Sequence, residues 1–219
     1  MRCGSRLAGD FSDPAVASAA RERLAPVPWT WLRQVHGCRV VVVDRPGGCS
    51  GAAADAAVTS CPGAGLAVLS ADCAPVALSS EEGVIGIVHA GWRGLLGGVV
   101  EAAAEAMERL GARGLFGAVG PCIWPHAYEF SSPELDALER RLGPVVRAVG
   151  ANGRLALDLP AAVGAALGRA GVTLLAEAQT CTHCSQWHWS WRARADRGRQ
   201  ATVVWRGAES DERPGARGG

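Results

Sequence analysis

Ile85-Gly-Ile-Val-His-Ala-Gly-Trp-Arg-Gly94 is the stretch on which the reading of this chain turns. It predicts a short apolar strand ending at His89, a turn through glycines, and a helix beginning beyond Gly94. His89 and Arg93 then stand at a strand-to-helix junction, where side chains and unpaired helical N–H groups are exposed together. A core has no use for a histidine, a tryptophan and an arginine so close together between glycines. Two other segments look equally unsuited to packing: Gln34-Val-His-Gly37 and Ser70-Ala-Asp-Cys-Ala-Pro75. His36, Cys73 and His89 together make a candidate metal site or a Cys/His catalytic site.

Moving outward, Gly65–Ser70, Pro75–Ser79 and Val84–His89 read as successive strands, and Arg39–Asp44 as a β-branched one. Residues 95–110 predict one amphipathic helix, with Leu95, Leu96, Val99, Val100, Ala103, Met107 and Leu110 on a single stripe and Gly111 as its stop. Residues 15–25 predict a short helix stopped by Pro26 and Pro28. Ser131/Ser132-Pro133 with Glu134 predicts a capping box opening a helix to Gly143, and Asp158 with Pro160 opens another to Gly171. Leu115–Val119, Val172–Ala178 and Arg199–Trp205 complete the strands. This irregular alternation predicts a single mixed-sheet α/β (α+β) domain over residues 1–206, and the polar segment 207–219 is expected to be a disordered tail.

Composition narrows the function classes. With 22 basic and 21 acidic residues the net charge is +1, so nothing favours non-specific nucleic-acid binding. No stretch reads as a signal peptide or is long enough to span a bilayer, so a cytoplasmic protein without a membrane partner is expected. In that reducing setting the eight cysteines read as free thiols, metal ligands or catalytic groups rather than disulfides. The glycines around Trp92 spell neither a dinucleotide fingerprint nor a P-loop.

The segments Gln34-Val-His-Gly37, Ala54-Asp-Ala-Ala-Val-Thr59, Ala71-Asp-Cys73, His89-Ala-Gly-Trp-Arg-Gly94, Gly120-Pro-Cys-Ile123 with Tyr128-Glu129, Cys181-Thr182, and Trp189-Ser-Trp-Arg192 before Gly198-Arg-Gln200 occur in that order. In this joint order and spacing the chain resembles the laccase-domain family, also known as the YfiH-type polyphenol oxidase or peptidoglycan editing factor family. The resemblance implies a layered α/β/β/α sandwich. It also implies a zinc-dependent purine nucleoside phosphorylase with adenosine deaminase and 5′-methylthioadenosine phosphorylase activity, acting on small molecules. Family members usually begin with a strand before an Arg-x-Gly-Gly segment. Met1-Arg-Cys-Gly4 starts at that point, so the expectation is either a misassigned start codon or a missing first strand, the latter leaving an unpaired sheet edge near residues 1–10.

By the same resemblance His36, Cys73 and His89 are metal ligands. Two imidazoles and a thiolate suit Zn²⁺ with an open fourth position, and Cu²⁺ is a possible substitute. Cys73, His89 and Asp72 are the candidate catalytic residues. Asp72 or Asp55 could orient a ligand histidine, and Asp55 reads equally well as a turn residue. Arg93 is the candidate phosphate ligand, a planar fork beside a helix N-terminus. Two alternatives stay open. One is a Cys/His amide hydrolase editing peptidoglycan precursors, with Cys73 as nucleophile and His89 or His36 as base. The other, copper-dependent polyphenol oxidation, is disfavoured by only five histidines. Trp124 and His126 depart from the family pattern; Trp124 would reshape the pocket, and His126 reads as a loop residue. Cys181-Thr-His-Cys184 with His188 invites a second zinc site. The spacing of Trp187, Trp189 and Trp191 instead favours a core or pocket wall on one face of an extended segment.

Overall fold

The computed structural model describes residues 1–207, so the expected tail lies outside the described residues apart from Gly207. The elements run β1 (Arg2–Cys3), α1 (Pro14–Leu24), β2 (Trp29–Trp31), β3 (Val40–Val42), β4 (Ala56–Thr59), β5 (Gly65–Ser70), β6 (Ala74–Ser79) and β7 (Ile85–Ala90). Then come α2 (Trp92–Gly97), α3 (Val99–Arg109), β8 (Phe116–Val119), α4 (Ser132–Leu142), β9 (Arg147–Val149) and β10 (Leu155–Leu157). The last are α5 (Leu159–Arg169), β11 (Thr173–Glu177), α6 (Trp191–Arg194) and β12 (Gln200–Trp205).

Two mixed sheets form the centre. One has the order β1-β12-β5-β2 and the other β11-β8-β6-β7-β4-β3, while β9 and β10 make a separate hairpin. Period-two alternation along the strands explains the stacking. Leu66 and Val68 of β5 and Val204 of β12 share a buried cluster with Ala57, Ala77, Ile85 and Ile87 of the larger sheet. Ala67, Ala201 and Val203 on the opposite face of the smaller sheet pack with Ala20 of α1 and with Phe11. The outer face of the larger sheet, including Val58, Val76 and Val88, is covered by Val100 and Met107 of α3, Leu135 of α4 and Val163 of α5. The result is the implied α/β/β/α sandwich. β7 is buried along its whole length because both its faces are covered, which is why its sequence is a continuous apolar run.

Several expectations are corrected. The single helix over 95–110 is two helices, because Gly98 adopts a left-handed φ of 84° between α2 and α3. The first helix therefore begins at Trp92, before Gly94 rather than after it. Ser131 bonds the Glu134 side chain but caps no backbone N–H, so the capping box does not form. Asp158 caps α5 as expected, accepting from the Ala161 amide at 2.9 Å. Trp187, Trp189 and Trp191 do not share one face of a strand: residues 182–190 turn repeatedly and Trp191 opens α6. At the start of the chain, Arg2 and Cys3 pair with Val203 and Thr202 as an edge strand of two residues. Among the described residues no helix is long and apolar enough to cross a membrane.

Candidate metal centre and cleft

Two chain crossings between the sheets build the centre. The link from β2 to β3 carries His36, and the link from β5 to β6 carries Cys73, so both residues emerge at the same rim of the sandwich. Both links are bent by residues with positive φ, His36 at 58° and Asp72 at 95°. Non-glycine residues hold such angles only when their surroundings compensate. His89 arrives on β7, directly opposite Pro75 in the ladder.

Asp55 supplies much of that compensation. It is fully buried. Its carboxylate accepts from the amides of Val35 at 3.1 Å, His36 at 2.9 Å and Gly37 at 2.8 Å, which fixes the His36 turn. The same carboxylate lies 2.9 Å from His89 Nδ1, leaving His89 Nε2 as the ring nitrogen available to Cys73. Asp55 is thus both a turn residue and an orienting residue. Gln34 holds the other end of the turn, donating to Leu69 O at 2.6 Å and accepting from Leu69 N at 2.9 Å.

His36, Cys73 and His89 come together, with one donor atom from each lying within 4.8 Å of the others. Cys73 Sγ is 3.9 Å from His36 Nε2, and the two imidazoles meet edge to face at 4.9 Å. Tetrahedral zinc with bonds near 2.0–2.3 Å separates its ligands by about 3.3–3.8 Å, so this donor set fits such an ion after small adjustments. Gly91 makes room for it: a Cβ there would lie 3.0 Å from Cys73 Sγ and 3.2 Å from His36 Cδ2. The three groups also polarise one another. Burial would push the Cys73 thiol up, but the charge of His89 and hydrogen bonds from both histidines bring it down to about 6. Burial would push His89 down, but the Cys73 thiolate and Asp55 raise it to about 9. Burial would likewise raise Asp55, yet its bonds to His89, Gly37 and Val35 hold it below the usual carboxylate range.

The cluster opens into a cleft of about 590 Å³ whose walls include Arg93, Tyr128, Trp191 and Arg192. The Arg93 guanidinium lies 4.4 Å from the Trp92 ring centroid and makes no ion pair among the described residues. Arg192 sits over Tyr128 at 5.0 Å. Asp72 also lines this cleft, but its carboxylate is already occupied. Its carboxylate accepts from Thr182 Oγ1, Ser190 Oγ and the Arg192 amide, each at 2.7 Å. It ties the segment 182–192 to the Cys73 loop. Tyr128, Trp191 and Arg192 also line the cleft, and the sequence signal for them is their place in the Tyr128-Glu129 and Trp189–Arg192 segments. Trp124 packs edge to face against His126 and does not line the cleft.

A family model described as multi-copper polyphenol oxidoreductase laccase matches residues 13–207. The chain belongs to this laccase family. Its relatives within and beside that match are consistent. A Streptomyces coelicolor protein named purine nucleoside phosphorylase is 40% identical over 203 residues, covering 88% of this chain and 84% of that protein. A Mycobacterium tuberculosis protein of the same name is 37% identical over 202 residues, covering 88% and 80%. The crystal structure of YlmD from Geobacillus stearothermophilus superposes with a TM-score of 0.78 at 28% identity, covering 89% and 82%. That of Neisseria meningitidis NMB0706 superposes with a TM-score of 0.79 at 26% identity, covering 90% and 83%.

Proposed function

We propose that this laccase-family protein is a zinc-dependent purine nucleoside phosphorylase, acting on adenosine, inosine and 5′-methylthioadenosine, with a secondary adenosine deaminase activity. The observation that carries the reading is an exposed arginine, Arg93, without an ion pair among the described residues, in the same cleft as the His36/Cys73/His89 cluster. The names of the relatives support it.

In phosphorolysis a phosphate oxygen attacks the ribose C1′, the bond from C1′ to the purine nitrogen breaks, and the purine leaves with that electron pair and takes up a proton. Arg93 and Arg192 are suited to hold the phosphate, since a guanidinium offers paired donors to phosphate oxygens. Because α2 is a single short helix, the anion site rests on these side chains rather than on a long helix dipole. Trp191 and Tyr128 offer aromatic surface for the purine. His36, Cys73 and His89 would hold the zinc ion, which supplies Lewis-acid chemistry and acidifies water to near neutrality. Asp72 acts here as a positioning residue, fixing the wall that carries Trp191 and Arg192.

A second reading is favoured by the lowered Cys73 and the raised His89, the pairing a cysteine nucleophile requires. A thiolate committed to zinc is a poor nucleophile, so the two readings are exclusive. Incubation of purified protein with adenosine, with and without phosphate, separates them by product mass. Adenine with ribose 1-phosphate is expected, and inosine marks the deaminase activity. No purine turnover by zinc-loaded protein, with amide hydrolysis of a peptidoglycan precursor instead, would overturn the phosphorylase.

A further inference from the structure

A second cluster of soft donors lies outside the cleft. β8 and β11 are parallel neighbours in the larger sheet, so the turns that follow them leave at the same edge. The first turn, Pro125–Ala127, presents His126. The second presents Cys181 and Cys184. The two turns are joined by a bridge between Cys122 and Cys181 and by the Thr182 amide donating to Cys122 O at 2.9 Å. The Ala151 amide donates to His126 O at 3.0 Å and secures the first turn from behind.

The side chains then converge. His126 Nε2 lies 3.0 Å from Cys184 Sγ, and donor atoms of His126, Cys181 and Cys184 all lie within 4.8 Å of one another. All three belong to separate positions from the cleft cluster, and both cysteines are free thiols. The histidine expected to complete a Cys181/Cys184 site, His188, is instead 2.8 Å from Ser185 Oγ. His126, 58 residues before Cys184 and read as an ordinary loop residue, takes that place.

We propose that His126, Cys181 and Cys184 bind a second zinc ion. Two thiolates and an imidazole are soft and borderline donors, the set that selects zinc over the hard cations magnesium and calcium. Cys181 is buried and supplies the inner ligand, while Cys184 and His126 are exposed, so the ion has an entry path and a solvent-facing fourth position for water. Binding displaces one proton from each thiol into solvent, and no redox partner is needed. The ion would join the turn after β8 to the turn after β11. Through Thr182, whose hydroxyl donates to Asp72 at 2.7 Å, it would brace the wall of the cleft from outside.

The test uses the full chain carrying His36→Ala and Cys73→Ala, which removes the cleft cluster and leaves this one. Titration of that protein, reduced and metal-free, with zinc against a chromophoric chelator should show one bound equivalent. Cobalt in place of zinc should give the near-ultraviolet bands of sulfur-to-metal charge transfer. Adding Cys184→Ser or His126→Ala should lower zinc affinity at least about tenfold, and Cys184→Ser should weaken the sulfur bands. Failure of the cleft-deleted chain to bind zinc, or zinc affinity and cobalt spectrum unchanged by Cys184→Ser, would overturn the proposal. A measurement without substitutions guards against misfolding: in the unaltered chain, zinc should protect Cys184 from alkylation, read by peptide mass. Equal alkylation with and without zinc would also overturn it.

Discussion

The His36/Cys73/His89 and His126/Cys181/Cys184 clusters offer a metal the same number of donors on very different foundations. The first is set into the rim of the sheet sandwich. A buried carboxylate orients one histidine and holds the turn that carries the other. The second lies on two surface turns, and no carboxylate bonds its histidine among the described residues. Second-sphere support raises ligand basicity and fixes orientation before the metal arrives. The first cluster is therefore the better preorganised of the two for the catalytic role proposed for it. The second, in the role proposed for it, would be a surface clip ordered by its ion. Similar donor sets, two imidazoles with a thiol and one imidazole with two thiols, thus suit the two different proposed roles according to what stands behind them.

The largest test of this contrast is Asp55→Ala. It would leave His89 Nδ1 and the amides of Val35, His36 and Gly37 without their buried partner, so a loss of about 3–5 kcal/mol in unfolding free energy is expected. Denaturant titration of metal-free protein reads it. A loss below about 1 kcal/mol would show that the first cluster is no better founded than the second. Next is Arg93→Ala, expected to raise the KM for phosphate roughly ten- to a hundredfold, or about 1.5–3 kcal/mol, at unchanged melting temperature. Steady-state kinetics with phosphate varied would show it, and an unchanged KM would remove Arg93 from the anion site. Gly91→Ala pushes a methyl between Cys73 and His36. It should weaken zinc binding at the first cluster about tenfold and leave the second untouched, as competition with a chelator would measure.

A smaller effect concerns protons. In metal-free protein the Cys73 thiolate should persist as pH falls until about 6, because His89 stays protonated to about 9. Between these values the folded pair carries both charges, and the unfolded thiol and imidazole bind the same number of protons, so stability should be nearly flat with pH. Alkylation of Cys73, followed by mass, should slow only as pH drops through 6. His89→Ala should move that midpoint upward. The smallest expected change is His126→Ala without metal, within about 0.5 kcal/mol of the parent stability. A larger loss would mean that this turn supports the fold without its ion.

Much of this was legible in the primary sequence where local chemistry and final position coincide. The strand ending at His89, the loops of His36 and Cys73, and the Asp158 cap announce themselves through residues that have no place in a core or that cap a nearby amide. The break at Gly98 was not legible, because a glycine inside an apolar stripe reads as continuation until its φ is known. Trp29–Trp31 and Ala56–Thr59 are strands too short for a period to show. The roles of Asp72 and His126 were hidden for another reason: their partners are brought near only by sheet order, and no spacing rule reaches across such separations.

Asp72 carries a consequence for how the cleft is put together. Its partners Thr182, Ser190 and Arg192 lie 110, 118 and 120 residues downstream. The three donors of the cleft cluster, by contrast, all fall within residues 36–89. Contacts between distant residues must overcome a larger chain-closure entropy. The cluster is nonetheless no self-contained unit, because β5, which leads into the Cys73 link, pairs along its whole length with β12 at residues 200–205. The energetically awkward backbone at Asp72 then waits for the last third of the chain to settle it. The donor cluster and the cleft wall thus share one dependence on the C-terminal third of the chain.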